Sequence, residues 1–162
     1  MWGKRKNKPL EPGSQAPTFK LKSLDGSLQS LEEILAKGPA LLAFFKTGCP
    51  VCQLAFPYLE RLAASPSLQV LAISQDDDDA TRGFRQRFGI TFPTLLDQSK
   101  EGYPASNAFG ITSVPSLFLV EKDGEIASSS AGFSKKDLES LGHRAGVQTF
   151  RPEDNVPEWK AG

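Results

Sequence analysis

Apolar and polar positions along the chain fall into runs of two kinds. Ala40-Leu41-Leu42-Ala43-Phe44-Phe45 shows no polar alternation, the pattern of a strand buried on both faces. Leu68-Gln69-Val70-Leu71-Ala72-Ile73-Ser74 and Ser116-Leu117-Phe118-Leu119-Val120 read as further buried strands, and Thr94-Leu95-Leu96 as a shorter one. Between them the period changes. Leu54, Ala55, Tyr58, Leu59, Leu62 and Ala63 recur at helical spacing until Ser65-Pro66 closes the segment. Pro57 lies inside this helix, where it removes one hydrogen bond and is expected to bend the axis. Asp76 to Asp79 precede a helix that turns Phe84, Phe88 and Ala80 inward, and a short helix is predicted near Tyr103–Phe109. Ser134 caps a last helix with Leu138 and Leu141 facing the core.

Turn signals join these elements. Asp25-Gly26 connects Thr18–Leu21 to Leu28–Leu31 as a hairpin, followed by a brief helix over Leu31–Lys37 that Gly38-Pro39 ends. Lys122-Asp123-Gly124 turns the strand ending at Val120 into a second hairpin arm over 125–130. The expected organisation is an irregular arm over 1–13, one domain over 14–146, and an irregular tail over 147–162 pinned by Phe150 and Trp159. Strands alternating with helices, then a terminal hairpin and helix, predict an α/β domain: a central mixed β-sheet flanked by helices on both faces.

Composition narrows the function classes. The 162 residues are 39% hydrophobic and 23% charged, ordinary for a globular domain with one core. Nineteen basic and nineteen acidic residues cancel, so no global field favours nucleic acid or an acidic membrane. Lys4-Arg5-Lys6-Asn7-Lys8 is a local basic stretch with no apolar segment after it of the kind a secretory leader needs, and reads as a solvated tail. No run reaches the length of a membrane span. The expectation is a cytoplasmic monomer, with a periplasmic or other extracytoplasmic site the alternative had a leader been removed.

The chain has two cysteines, and both stand in Cys49-Pro50-Val51-Cys52, directly after the apolar strand over 40–45. A strand that delivers C-x-x-C to a helix start is a redox arrangement, and no other cysteine competes for either thiol. The helix dipole and free N–H groups there favour thiolate, the nucleophilic form. Cys49, the N-terminal and more exposed thiol, is assigned the attack on a disulfide, and Cys52, one turn deeper, the resolution of the mixed disulfide. Pro50 at an early helix position fixes φ at little cost. The competing readings are an inert buried pair, or half of a zinc site, for which His143 is the one histidine available.

These residues resemble the thioredoxin-like superfamily, within it the TlpA/ResA-like and redoxin branch, over roughly Gly13 to Ala145. The resemblance rests on Cys49-x-x-Cys52, Pro57 in the following helix, Val114-Pro115 before an apolar strand, and Gly132 ahead of the last helix. Ser74-Gln75-Asp76 and Phe92-Pro93-Thr94-Leu95-Leu96-Asp97 match the branch's inserted segment. It implies a thioredoxin-like fold with an N-terminal extension and an inserted βα segment, and thiol–disulfide oxidoreductase activity without a bound cofactor. It further implies that Pro115 is the cis-proline facing the cysteines. Val114 would then pair its backbone with an extended substrate, and Gly48 and Pro50 would flank the contact. Protein or small-thiol disulfides are the implied substrates, with an upstream reductant or oxidant.

Three positions depart from the family. Gly48 stands where thioredoxins have Trp. Ala43 and Ala55 stand where thioredoxins and many TlpA/ResA-like proteins, respectively, carry a buried carboxylate. General acid–base help is typically worth about 10²–10⁴ in rate, so slower reductase turnover is expected. Two other functions remain open. A peroxiredoxin-like thiol peroxidase needs P-x-x-x-T-x-x-C; counting back from Cys49 gives Lys46 and Leu42, and from Cys52 gives Cys49 and Phe45. A redox-regulated binding module would use the same cysteines as a switch. Lys46 and His143 read as solvated, and the Asp76–Asp79 run as helix capping.

Overall fold

The computed structural model describes residues 8–162; Lys4 to Asn7 of the expected basic arm lie outside the described residues. Seven strands form one mixed sheet in the order β2-β1-β5-β4-β3-β6-β7. They are β1 (Lys20–Ser23), β2 (Leu28–Ser30), β3 (Ala40–Phe45), β4 (Gln69–Ser74), β5 (Thr94–Leu96), β6 (Ser116–Val120) and β7 (Ile126–Ala131). β3 lies inside the sheet, parallel to β4 and antiparallel to β6. The helices are α1 (Leu31–Ala36), α2 (Pro50–Leu62), α3 (Asp78–Phe88), α4 (Pro104–Ala108) and α5 (Lys135–Ala145). A second sheet pairs two short strands, β8 (Phe133–Ser134) and β9 (Trp159–Lys160).

β3 explains its own composition. All six residues are buried, and neighbouring phenylalanines pack on opposite sides. Phe45 meets Phe56 of α2 and Phe84 of α3, with ring centroids 4.5 and 4.8 Å apart. Phe44 meets Phe109 and Phe118 at 5.3 and 5.8 Å. An apolar residue is therefore required at every position, and alternation disappears. Because β3 is anchored on both faces, the loop leaving its C-terminal end starts from a fixed point.

Several elements shift from their expected bounds for reasons of pairing. β1 runs to Ser23 because Lys22 and Ser23 pair with Leu96 and Leu95 of β5, a neighbour distant in sequence. The arm expected over 125–130 is set at 126–131 by its register on β6. In α3 the cap is Asp77, whose side chain accepts the Ala80 N–H at 2.9 Å. That start leaves Ala80 exposed and buries Thr81, whose hydroxyl bonds Ser74 at 2.7 Å. α2 continues through Pro57, which lies on its exposed side, to Leu62. The tail contains β9, and Trp159 does not pin it: this side chain is 61% exposed, while Phe150 packs on the body.

Candidate active site

The cysteines sit where β3 hands over to α2. Lys46–Gly48 make the connection, and a turn bond from the Cys49 N–H to the Lys46 carbonyl, 3.2 Å, brings Cys49 to the helix start. Cys49 is the N-cap of α2, with extended backbone, and its sulfur accepts the Cys52 N–H at 3.2 Å. Sulfur thus takes the place an N-cap oxygen normally fills, so a free helix amide points at Sγ. Pro50 follows at the first helical position and is exposed, as is Gly48.

The two thiols, both free, occupy different environments. Cys49 is half-buried, whereas Cys52 is 0% exposed within the core. Burial pushes the Cys52 thiol far above its ordinary range, and its contact with Cys49 adds to this; the Lys46 backbone amide works in the opposite direction. Cys52 therefore holds its proton at neutral pH.

Two polar side chains fix the loop ahead of Cys49. Asp76 accepts the Thr47 N–H through Oδ2 at 2.7 Å, and the Gln53 amide donates to the Thr47 carbonyl at 3.0 Å. The Asp76–Asp79 run is expected to serve as helix capping, and Asp77 does so; Asp76 is turned instead to the cysteine loop. Gln53 and Thr47 carry no signal in the sequence beyond their nearness to Cys49.

The facing wall is the loop before β6. The Val114–Pro115 peptide bond is cis. The Val114 carbonyl oxygen lies 3.5 Å from Cys49 Sγ, where it accepts the thiol hydrogen. The Pro115 carbonyl accepts the Gly132 N–H at 2.8 Å. Cys49, Cys52, Gly48, Pro50, Val114 and Pro115 are thus brought into one locality, while His143 lies on the exposed last turn of α5. Among the described residues no group of three His, Cys, Asp or Glu is placed to hold a metal ion.

No acid occupies the two positions where the family resemblance would place one. Ala43 and Ala55 are both buried. Asp97, the one fully buried carboxylate among the described residues, spends both oxygens on the Ala105 and Ser106 N–H groups at the start of α4, 3.0 and 2.7 Å away.

Known proteins similar to this chain define its family and fold. The AhpC/TSA family model matches residues 12–129. The thiol-disulfide oxidoreductase ResA of Geobacillus kaustophilus (strain HTA426) is 31% identical over 132 residues, covering 78% of this chain and 74% of its own. Thioredoxin-like protein YneN of Bacillus subtilis (strain 168) is 32% identical over 143 residues, covering 83% and 81%. The thioredoxin domain of a thiol-disulfide oxidoreductase from Bacteroides vulgatus superposes with a TM-score of 0.74 at 21% identity, over 83% of this chain and 97% of that one, a likeness of fold. The chain belongs to the AhpC/TSA family, as a ResA-like thiol-disulfide oxidoreductase with the thioredoxin-like fold.

Proposed function

We propose that the protein exchanges its Cys49–Cys52 couple with protein or small-molecule disulfides through a mixed disulfide. The observation that carries this reading is the contrast between the thiols. Cys49 is half-buried with an amide aimed at its sulfur, and Cys52 is buried and protonated directly behind it. Cys49 thiolate attacks one sulfur of the substrate disulfide; a new S–S bond forms and the second substrate sulfur leaves as thiolate. Cys52 then gives up its proton and attacks Cys49 Sγ. The protein disulfide closes and the remaining substrate sulfur departs as thiolate, so two electrons pass from the dithiol to the substrate. Run backward, the same steps oxidise a substrate dithiol.

The Val114 carbonyl faces Cys49, and the main chain beside it is the edge along which an extended substrate would lie, with Gly48 and Pro50 flanking. Neither Ala43 nor Ala55 can relay the Cys52 proton, so resolution depends on base from solvent or from the departing thiolate.

A Cys52→Ser variant incubated with 5,5′-dithiobis(2-nitrobenzoate) should accumulate a stable adduct at Cys49, read by mass. An unmodified Cys49 contradicts the proposal. Reduced protein that consumes hydroperoxide far faster than free cysteine does would favour peroxidase chemistry instead.

A further inference from the structure

Residues 147–162 are anchored back onto the body at every stage. Thr149 donates its hydroxyl to the buried Leu138 carbonyl at 2.9 Å. Phe150 packs against Tyr58 of α2, with ring centroids 4.6 Å apart and the planes tilted by 43°. Arg61 grips Asp154 through both terminal nitrogens, at 2.5 and 3.2 Å. The Lys135 N–H bonds the Glu158 carbonyl at 2.9 Å, and β9 pairs with β8.

At Gly162 the path reaches the active-site wall. A Cβ placed on Gly132 would stand 2.4 Å from the Lys160 carbonyl oxygen, so the tail packs its backbone directly against Gly132 as it runs antiparallel to β8. A Cβ placed on Gly162 would stand 2.0 Å from the Val114 oxygen, 2.7 Å from the Val114 carbonyl carbon and 3.3 Å from Pro115 Cδ. The Val114 oxygen is the atom that also faces Cys49 Sγ. Gly162 and Cys49 therefore flank one carbonyl, and both Val114 and Pro115 are buried.

The geometry points to residues 159–162 as a specificity-determining strap of the substrate site. The strap covers the Val114–Pro115 edge, so a protein disulfide that reaches Cys49 as an extended segment must displace it. A small disulfide needs the half-exposed sulfur alone and is insensitive to it. This inference rests on the exchange reading and names which disulfides the site favours. Close backbone contact at Gly162 makes the discrimination steric and independent of charge on the substrate.

The test compares the full chain, a chain ending at Glu158, and Gly162→Ala, whose added methyl has no room against Val114. Both variants keep the Tyr58, Arg61 and Leu138 anchors. Second-order rates of the reduced proteins are measured with insulin as the protein disulfide and with 5,5′-dithiobis(2-nitrobenzoate) as the small one. The strap predicts insulin rates raised about fivefold or more in both variants, with small-disulfide rates inside about twofold. Circular dichroism and the unfolding transition of each variant report that it folds. Insulin rates that stay level or fall, or equal acceleration of both substrates, overturn the strap while leaving exchange intact. A full chain that reduces neither disulfide overturns the exchange reading and the strap with it.

Discussion

The two walls of the site are built in different ways. The sulfur wall is local: β3, a three-residue loop and the first turn of α2 place Cys49 and Cys52 within one stretch of chain. Its foundation is the aromatic cluster in which Phe45, Phe56 and Phe84 touch pairwise. The facing wall is assembled from three separate places, Val114-Pro115, Gly132 and Gly162, joined by backbone contacts. Val114-Pro115 is buried and leads directly into β6, whereas the strap that carries Gly162 is held by the β8–β9 pairing and a few side chains at the periphery. Geometry that must not vary, the relation of the two sulfurs, is thus given to the core; the facing wall is shared between the core, at Val114-Pro115, and the tail, at Gly162.

Substitutions should separate the walls by size of effect. Phe56→Ala removes a fully buried ring beneath the sulfur wall and should cost about 3–5 kcal/mol, read by denaturant unfolding. Phe150→Ala loosens the tail where its half-buried ring lies on Tyr58 and should cost about 2 kcal/mol, below the range for a core phenylalanine. A larger loss for Phe150→Ala than for Phe56→Ala would reverse the comparison.

Asp76→Ala strips the acceptor from the Thr47 N–H and should cost about 1–2 kcal/mol, with slower exchange, because hydrogen bonds to charged acceptors exceed neutral ones. Asp76→Asn retains an acceptor oxygen without the charge and should recover part of both. Equal behaviour of the two variants would remove Asp76 from the positioning of the loop.

The effect that is smallest at neutral pH is a stability slope above it. An unfolded cysteine ionises near pH 8.5, whereas folded Cys52 keeps its proton well above that. The folded state holds the extra proton in this window, so the reduced protein should lose stability as pH rises past about 8.5, at up to about 1.4 kcal/mol per pH unit. Cys52→Ala should flatten the curve; an unchanged slope would assign it to another group.

The sulfur wall was legible in sequence because its information is contiguous. An unbroken apolar strand, C-x-x-C and a change to helical period lie side by side, and each has its own physical signature. Val114-Pro115 was reachable through family resemblance, since a Val-Pro pair says nothing by itself about a thiol distant in the chain. Asp76 was hidden among four aspartates, of which one caps the helix and another reaches Thr47 across 29 positions. The strap was the least visible part. Prolines made 147–162 look irregular, and Trp159 looked like its anchor. The close approaches are made instead at Gly132 and Gly162, where the absence of a side chain is the whole of the signal.

The asymmetry between Cys49 and Cys52 can be read directly on the unmodified sequence. Fully reduced protein is treated with limiting iodoacetamide at neutral pH, quenched at intervals and mapped by peptide mass. Alkylation at Cys49 should run at least about tenfold faster than at Cys52, since reactivity follows thiolate and exposure. Alkylation of Cys52 first, or of both at one rate, would contradict the division of labour on which the mechanism stands.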